Sequence, residues 1–159
     1  FIPGDRSDSV FIAEWYPLQL LSADETITQK DWAAILQAKE AINKVIEEQR
    51  SQGVIKGSLG ADIEVSAGRE LHASLAKLGD ELRFVTITSK AILIPLPSSD
   101  AAENALLDGL QVVVRHSEAS KCVRCWHFID DVGSHEQHPE VCGRCVSNIS
   151  GEGEGRAYA

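Results

Sequence analysis

The clearest pattern of apolar and polar positions runs from Thr28 to Gly53. Trp32, Ile35, Leu36, Ile42, Val45 and Ile46 recur at three- and four-residue steps, while Lys39, Glu40, Asn43, Lys44, Glu47 and Glu48 fill the other side. That spacing predicts a helix with one apolar stripe. Thr28-Gln29-Lys30-Asp31 supplies its start, because the Thr28 hydroxyl and the Asp31 carboxylate can satisfy free backbone donors of the first turn. Ser51-Gln52-Gly53 supplies its end, with glycine suited to a left-handed cap. Glu40 and Lys44 stand in the favourable i,i+4 order. Lys39, Lys44 and Arg50 are read as a solvated face in preference to phosphate contacts.

After Gly57 the period shortens. Leu59, Ala61, Ile63 and Val65 alternate with more polar residues and predict a strand buried on one face. Leu71, Leu75 and Leu78 then follow at helical steps up to Gly79. Leu82 to Thr88 and Ala91 to Leu96 are apolar and β-branched on either side of Ser89-Lys90, and are expected to be two strands. Pro95, Pro97 and Ser98-Ser99-Asp100 predict a loop, and Leu110 to His116 another strand. The class is therefore α+β, a small unit with one helix on a sheet. The strand order stays open.

The start of the chain reads differently. Phe1 to Asp8 has loop composition, and Val10 to Pro17 is an apolar, aromatic run with no partner strand nearby. Its packing surface is expected in residues beyond this sequence. Three parts result: 1–57, a helical piece of a larger, truncated helical domain; 58–120, the α+β junction unit; and 121–159, a metal-binding module.

Composition narrows the function. The 159 residues contain no Met, which suggests a piece of something longer, and carry a formal net charge of −9. That charge excludes a protein whose main task is to grip phosphate non-specifically, so any nucleic-acid contact is local. No apolar run is long enough to cross a bilayer. A soluble chain in a reducing, cytoplasmic setting is expected, without a membrane partner.

The four cysteines carry the chemistry. Cys122 and Cys125 form one Cys-x-x-Cys pair, Cys142 and Cys145 another, with sixteen residues between. Two such turns can aim four sulfurs at one point about 2.3 Å from each, the tetrahedron of a structural Zn²⁺ site. Two disulfides would need an oxidising compartment, and a thioredoxin-like pair would need a βαβ context. His127, His135 and His138 are read as spectators. Too few apolar residues lie between the pairs to build a core, so zinc is expected to supply the folding free energy.

Charge within 121–159 is segregated. Lys121, Arg124 and Arg144 sit at the two cysteine turns, whereas Asp130, Asp131, Glu136, Glu140, Glu152 and Glu154 lie in the connecting loop and tail. The cations can balance a zinc-thiolate cluster of net charge −2 or meet phosphates. Trp126 can shield the cluster or offer a face to an unstacked base. The glycine-rich tail from Gly151 is expected to fray unless docked.

The run Cys122-Val123-Arg124-Cys125-Trp126-His127, then Asp131-Val132-Gly133, His138 to Val146, Asn148 and Gly151 to Glu154, resembles the C-terminal zinc-binding end of bacterial isoleucyl-tRNA synthetases. Trp32, Lys39, Asn43 to Glu47, Arg50, Gly57-Ser58-Leu59, Gly79 to Phe84 and the Ser9-Val10 to Trp15 stretch are similar to the same family in the same order. Lys39 stands where that family has arginine, and Gly60 where it has glutamate. The resemblance implies an ATP-dependent parent enzyme that attaches isoleucine to its tRNA. It also implies that this piece helps bind the anticodon arm, with Lys121, Arg124, Trp126 and Arg144 as RNA contacts. The rest of a monomeric synthetase chain would be its other partner. His-Ile-Gly-His and Lys-Met-Ser-Lys-Ser, the motifs that bind ATP in that class, do not occur in these residues. No residue here is expected to be catalytic, and ATP is expected to bind elsewhere in the parent. Two other readings are a structural zinc module packed on the synthetase body, and the zinc-ribbon DNA-binding end of a repair glycosylase.

Overall fold

The computed structural model describes residues 26–97 and 107–159, together with Ser9 and Phe11. The expected loop at Phe1 to Asp8, the apolar run at Val10 to Pro17 and the loop at Ser98 to Asp100 lie outside the described residues, apart from Ser9 and Phe11.

Helix α1 spans Gln29–Ser51 and is capped by Thr28, whose side chain accepts from Asp31 N while Asp31 accepts from the Thr28 backbone. The helix buries Ile35, Ala38, Ala41, Ile42 and Ile46, with Trp32 and Val45 packed at the margin. Leu36, expected in the stripe, is 52% exposed. It lies one position, about 100° of helical rotation, from Ile35, and the two alanines occupy the face instead. Gln52 is the C-cap, and Gly53 follows with φ +78, the left-handed backbone that glycine adopts without a Cβ clash. Arg50 pairs with Glu47 one turn back, so this cation belongs to an exposed ion pair.

Strand β1 (Ala61–Ala67) is followed by helix α2 (Arg69–Ala76), a short 3₁₀ turn at Gly79–Glu81, helix α3 (Leu82–Thr86), strand β2 (Lys90–Pro95) and strand β3 (Leu110–His116). The sheet order is β2-β1-β3. β1 and β2 are parallel, with Ile63 opposite Ala91 and Val65 opposite Leu93. β1 and β3 are antiparallel, with Ile63 opposite Val114 and Val65 opposite Val112. The parallel pair requires a crossover, and α2 with α3 provides it. Ala61, Ile63, Val65 and Ala67 alternate as buried residues along β1. They meet Ile35, Ile42 and Ile46 of α1 and Leu75 and Leu78 beyond β1 in one continuous core. Two helices, where one was expected, thus cover the sheet: the 23-residue α1 against β3 and the 8-residue α2 against β2. The α+β class stands, with α1 sharing the core of the unit that follows it.

Leu82 to Thr88 is not a strand. Leu82 and Thr86, four residues apart, are the buried positions of α3, and Thr86 Oγ1 donates to the Leu82 carbonyl at 3.0 Å. Short apolar runs fit both periods, and here the core selects the helical one. Ile87 ends α3 in the left-handed region (φ 56, ψ 47), a position usually given to glycine.

Asp31 does more than cap α1. Its carboxylate accepts from Ser74 Oγ at 2.8 Å and Lys77 Nζ at 2.6 Å, tying the start of α1 directly to the end of α2. Its side chain is 13% exposed. The Lys77 ammonium, followed by Thr28 and Ser74, holds its carboxyl well below the usual range. A depressed carboxyl stabilises the fold above its unfolded pKa, and that contribution is lost as pH falls toward the folded value. Asp31→Asn is expected to lower the melting temperature by several degrees at pH 7. The gap to the parent should shrink steadily as acid takes the pH below the ordinary carboxylate range, as thermal melts at stepped pH would report.

Candidate functional site

Two short turns bring the cysteines together. In the first, Trp126 N donates to the Cys122 carbonyl at 2.9 Å and Cys122 N to the His127 carbonyl at 2.9 Å, closing a knuckle braced by the Lys121 and Phe128 bridge. In the second, Cys142 is the N-cap of helix α4 (Gly143–Ser150), so Cys145 lies in its first turn. A helix N-terminus favours thiolate charge. Val123 N donates to the Glu140 carbonyl at 3.1 Å and joins the two turns.

The sulfurs lie within 4.8 Å of one another. Cys122 and Cys145 Sγ are 3.7 Å apart, and Cys125 and Cys142 Sγ are 3.8 Å apart. A disulfide needs about 2.05 Å. A tetrahedron with metal-sulfur bonds of about 2.3 Å has edges of ~3.8 Å, so the geometry fits one zinc ion held by Cys122, Cys125, Cys142 and Cys145. The thiols differ in their surroundings. Burial pushes Cys142 up to about 12, with the neighbouring Cys125 sulfur adding to the effect. Burial acts the same way on Cys122, yet backbone N–H groups of Cys125, Cys142 and Arg124 bring it down to about 6. Four thiolates at this separation need a cation between them. None of the three histidines belongs to the cluster of possible ligands. His127 instead sets Nδ1 3.2 Å from the Cys125 carbonyl.

Asp131 completes the frame. Its Oδ2 accepts from Gly143 N at 2.9 Å, satisfying a free donor at the start of α4. A Cβ on Gly143 would stand 2.7 Å from that oxygen and 2.9 Å from His135 Nε2. A side chain at 143 would therefore push the Asp131 carboxylate and the His135 ring out of these positions.

The cations named from sequence take different positions. Arg124 Nη1 reaches Cys145 Sγ at 3.6 Å, although the residue is otherwise exposed. Arg144 is half-buried and bonds both oxygens of Glu154 at 3.3 Å. Lys121 Nζ stands 5.2 Å from the centre of the Trp126 ring. Trp126 is 59% exposed and has φ 67. The small apolar cluster around the cysteines is made by Val141, Ile129, Val132 and Val146, without Trp126, so the indole is not the shield of the metal centre.

Sequence reasoning passed over several participants. The guanidinium carbons of Arg156, Arg83 and Arg144 lie 4.0, 4.6 and 5.1 Å from the centre of the Phe84 ring. Burial and the charges of these three arginines hold His127 below its usual range. Glu154 also accepts from Arg156 at 2.7 Å. Glu81 accepts from the backbone N–H groups of Ala157, Tyr158 and Ala159 at 2.6, 2.7 and 2.7 Å. The tail, expected to fray unless docked, is docked across both units, and Tyr158 packs on the main core. No local signal pointed to the contacts of Phe84 with Arg144 and Arg156 or of Glu81 with the tail, because they join residues sixty or more positions apart.

Residues 119–148 match the family described as the zinc finger found in FPG and IleRS. The whole chain is 50% identical over 159 residues to the isoleucine-tRNA ligase of Teredinibacter turnerae. It is 49% identical over 160 residues to that of Alcanivorax borkumensis, and 47% over 161 residues to that of Pseudomonas aeruginosa. These alignments take in 99, 99 and 100% of the chain and 17% of each relative. The four-sulfur geometry and the alignments agree: from end to end the chain is similar to a 17% stretch of bacterial isoleucine-tRNA ligases, with the FPG and IleRS zinc finger at residues 119–148.

Proposed function

We propose that the chain is the anticodon-arm-binding part of an isoleucine-tRNA ligase, whose whole chain joins isoleucine to its tRNA with ATP in the cytoplasm as a monomer. These residues bind and orient RNA and carry no catalytic group. The observation that carries the reading is Trp126. A large aromatic residue held at positive φ, mostly exposed and excluded from the apolar cluster beside it, presents its ring to a partner outside the module. Lys121 above the indole sets a cation beside a stacking plane, the pair that a single-stranded nucleotide engages through phosphate and base. Arg124 adds an exposed guanidinium, and Arg144 adds charge within the arginine cluster around Phe84. No helix among the described residues is long and apolar enough to cross a membrane.

A structural module is the second reading, because Arg124 and Arg144 have partners within the chain. Binding separates the two. In the full-length ligase, Trp126→Ala is expected to weaken isoleucine-tRNA binding about tenfold, within the range of alanine substitutions at stacking positions. Zinc content and isoleucine-dependent adenylate formation should stay unchanged. Lys121→Ala is expected to lower the slope of log affinity against log salt by about one phosphate contact. Unchanged tRNA affinity in both variants would leave the structural module. A preference for duplex DNA over tRNA would favour the glycosylase reading.

A further inference from the structure

Cys125 differs from the other three sulfur ligands in its access to solvent. Cys122, Cys142 and Cys145 are 0, 1 and 0% exposed, whereas Cys125 is partly exposed. The Arg144 guanidinium lies beside the Cys125 sulfur, and the Glu154 carboxylate holds that guanidinium in place. Reactive cysteines occupy such settings, partly exposed and next to a fixed positive charge. A second sulfur is within reach, since Cys142 Sγ stands 3.8 Å away on the facing turn. An accessible thiolate beside a second cysteine is the arrangement in which oxidation ends in a disulfide.

The other pair is placed differently. Cys122 and Cys145 Sγ, 3.7 Å apart, are sealed from solvent, so an oxidant arriving from solution meets Cys125 first. These four are the only cysteines in the chain. Thiol oxidation in these residues is therefore confined to the metal centre.

We propose that Cys125 is a site of oxidation by hydroperoxides, with Cys142 as its resolving partner, and that the module is thereby a reversible redox switch. With hydrogen peroxide, the Cys125 thiolate attacks one peroxide oxygen, the O–O bond breaks and hydroxide leaves, so that Cys125 carries a sulfenic acid. The Cys142 thiolate then attacks that sulfur, the S–S bond forms and a second hydroxide leaves. Two protons from solvent convert both hydroxides to water. The two sulfurs give up two electrons, and the peroxide takes them. Closing the bond draws the sulfurs from 3.8 Å to about 2.05 Å. Cys122 and Cys145 are left as two donors where a structural site needs four, so the zinc is lost together with the folding free energy it supplies. A dithiol reductant reverses the step by thiol exchange. The proposal concerns the metal centre alone and stands apart from the RNA-binding reading.

The test treats the zinc-loaded full-length ligase with hydrogen peroxide and follows metal release with a chromogenic chelator. Disulfides are mapped by mass spectrometry after free thiols are alkylated. One zinc is expected to leave for each Cys125–Cys142 bond formed, and a dithiol with added zinc should restore the metal and the four free thiols. Zinc that stays bound under peroxide, or any other pairing within the module, overturns the proposal. Cys125→His keeps four ligands, because sites of three cysteines and one histidine hold zinc, and it removes the attacking sulfur. Its peroxide-dependent release of zinc should be lost. Release as fast as in the parent overturns the assignment to Cys125. Where that variant takes up no zinc, the disulfide map of the parent decides alone.

Discussion

Chelation of the metal, or Cys145→Ser, is expected to unfold residues 121–150 as a unit and to release the tail from Glu81. Outside the cysteines, Val141, 8% exposed, is the one buried apolar side chain of the module's cluster, aided by the partly covered Ile129, Val132 and Val146. Burial of so few side chains yields only a few kcal/mol, at roughly 1.5–3 kcal/mol each. Burial on that scale is too little to order a segment of this length by itself. Structural zinc in small modules contributes about 10–16 kcal/mol near neutral pH. Serine keeps the shape of cysteine without its thiolate, so the centre loses one ligand of four. One zinc per chain is expected by elemental analysis, and cobalt in its place should show the visible absorption of a tetrahedral thiolate site. Hydrogen exchange should report lost protection in 121–150 while β1 stays protected. Retained protection after verified metal removal would mean that the loop and α4 stand without zinc.

The second large effect is in the main core. Ile42→Ala removes a fully buried side chain of α1, and such truncations cost about 2–5 kcal/mol. Against a net stability of about 5–15 kcal/mol, that is a substantial fraction. Ile42 shares its cluster with Ile63, Val65 and Val114, so α1 and β1 are expected to lose protection together and melt in one transition. A sequence division at 57/58 would instead let the sheet keep its stability while α1 loosens. Amide exchange followed separately in α1 and β1 distinguishes these outcomes. Cooperative loss would make α1 an integral layer of the α+β unit.

The helix at Thr28 to Gly53 was legible because cap, periodicity and terminator are all local. β1 and β3 were legible because alternation over several residues records a half-buried face, and β3 runs from Leu110 to His116 in the structure as the apolar run predicts. α3 was misread because Leu82 to Thr88 is rich in β-branched residues, while its buried pair, Leu82 and Thr86, stands at i,i+4 with a threonine as the second member. The choice between them is made by the core on which Leu82 and Thr86 pack. Arg144 was legible as a cation but not as a tie, since Glu154 meets it only after the tail folds back.

The sequence by itself determined the metal centre. A cysteine turn is closed by its own backbone, and four thiols paired in this spacing have one coordination geometry available to them. The tertiary structure alone decided the order of the strands, the seating of α1 on the sheet, the docking of the tail by Glu81, and the gathering of Arg83, Arg144 and Arg156 around Phe84. Those contacts join distant segments, and their energies depend on burial and on charges that no local pattern encodes.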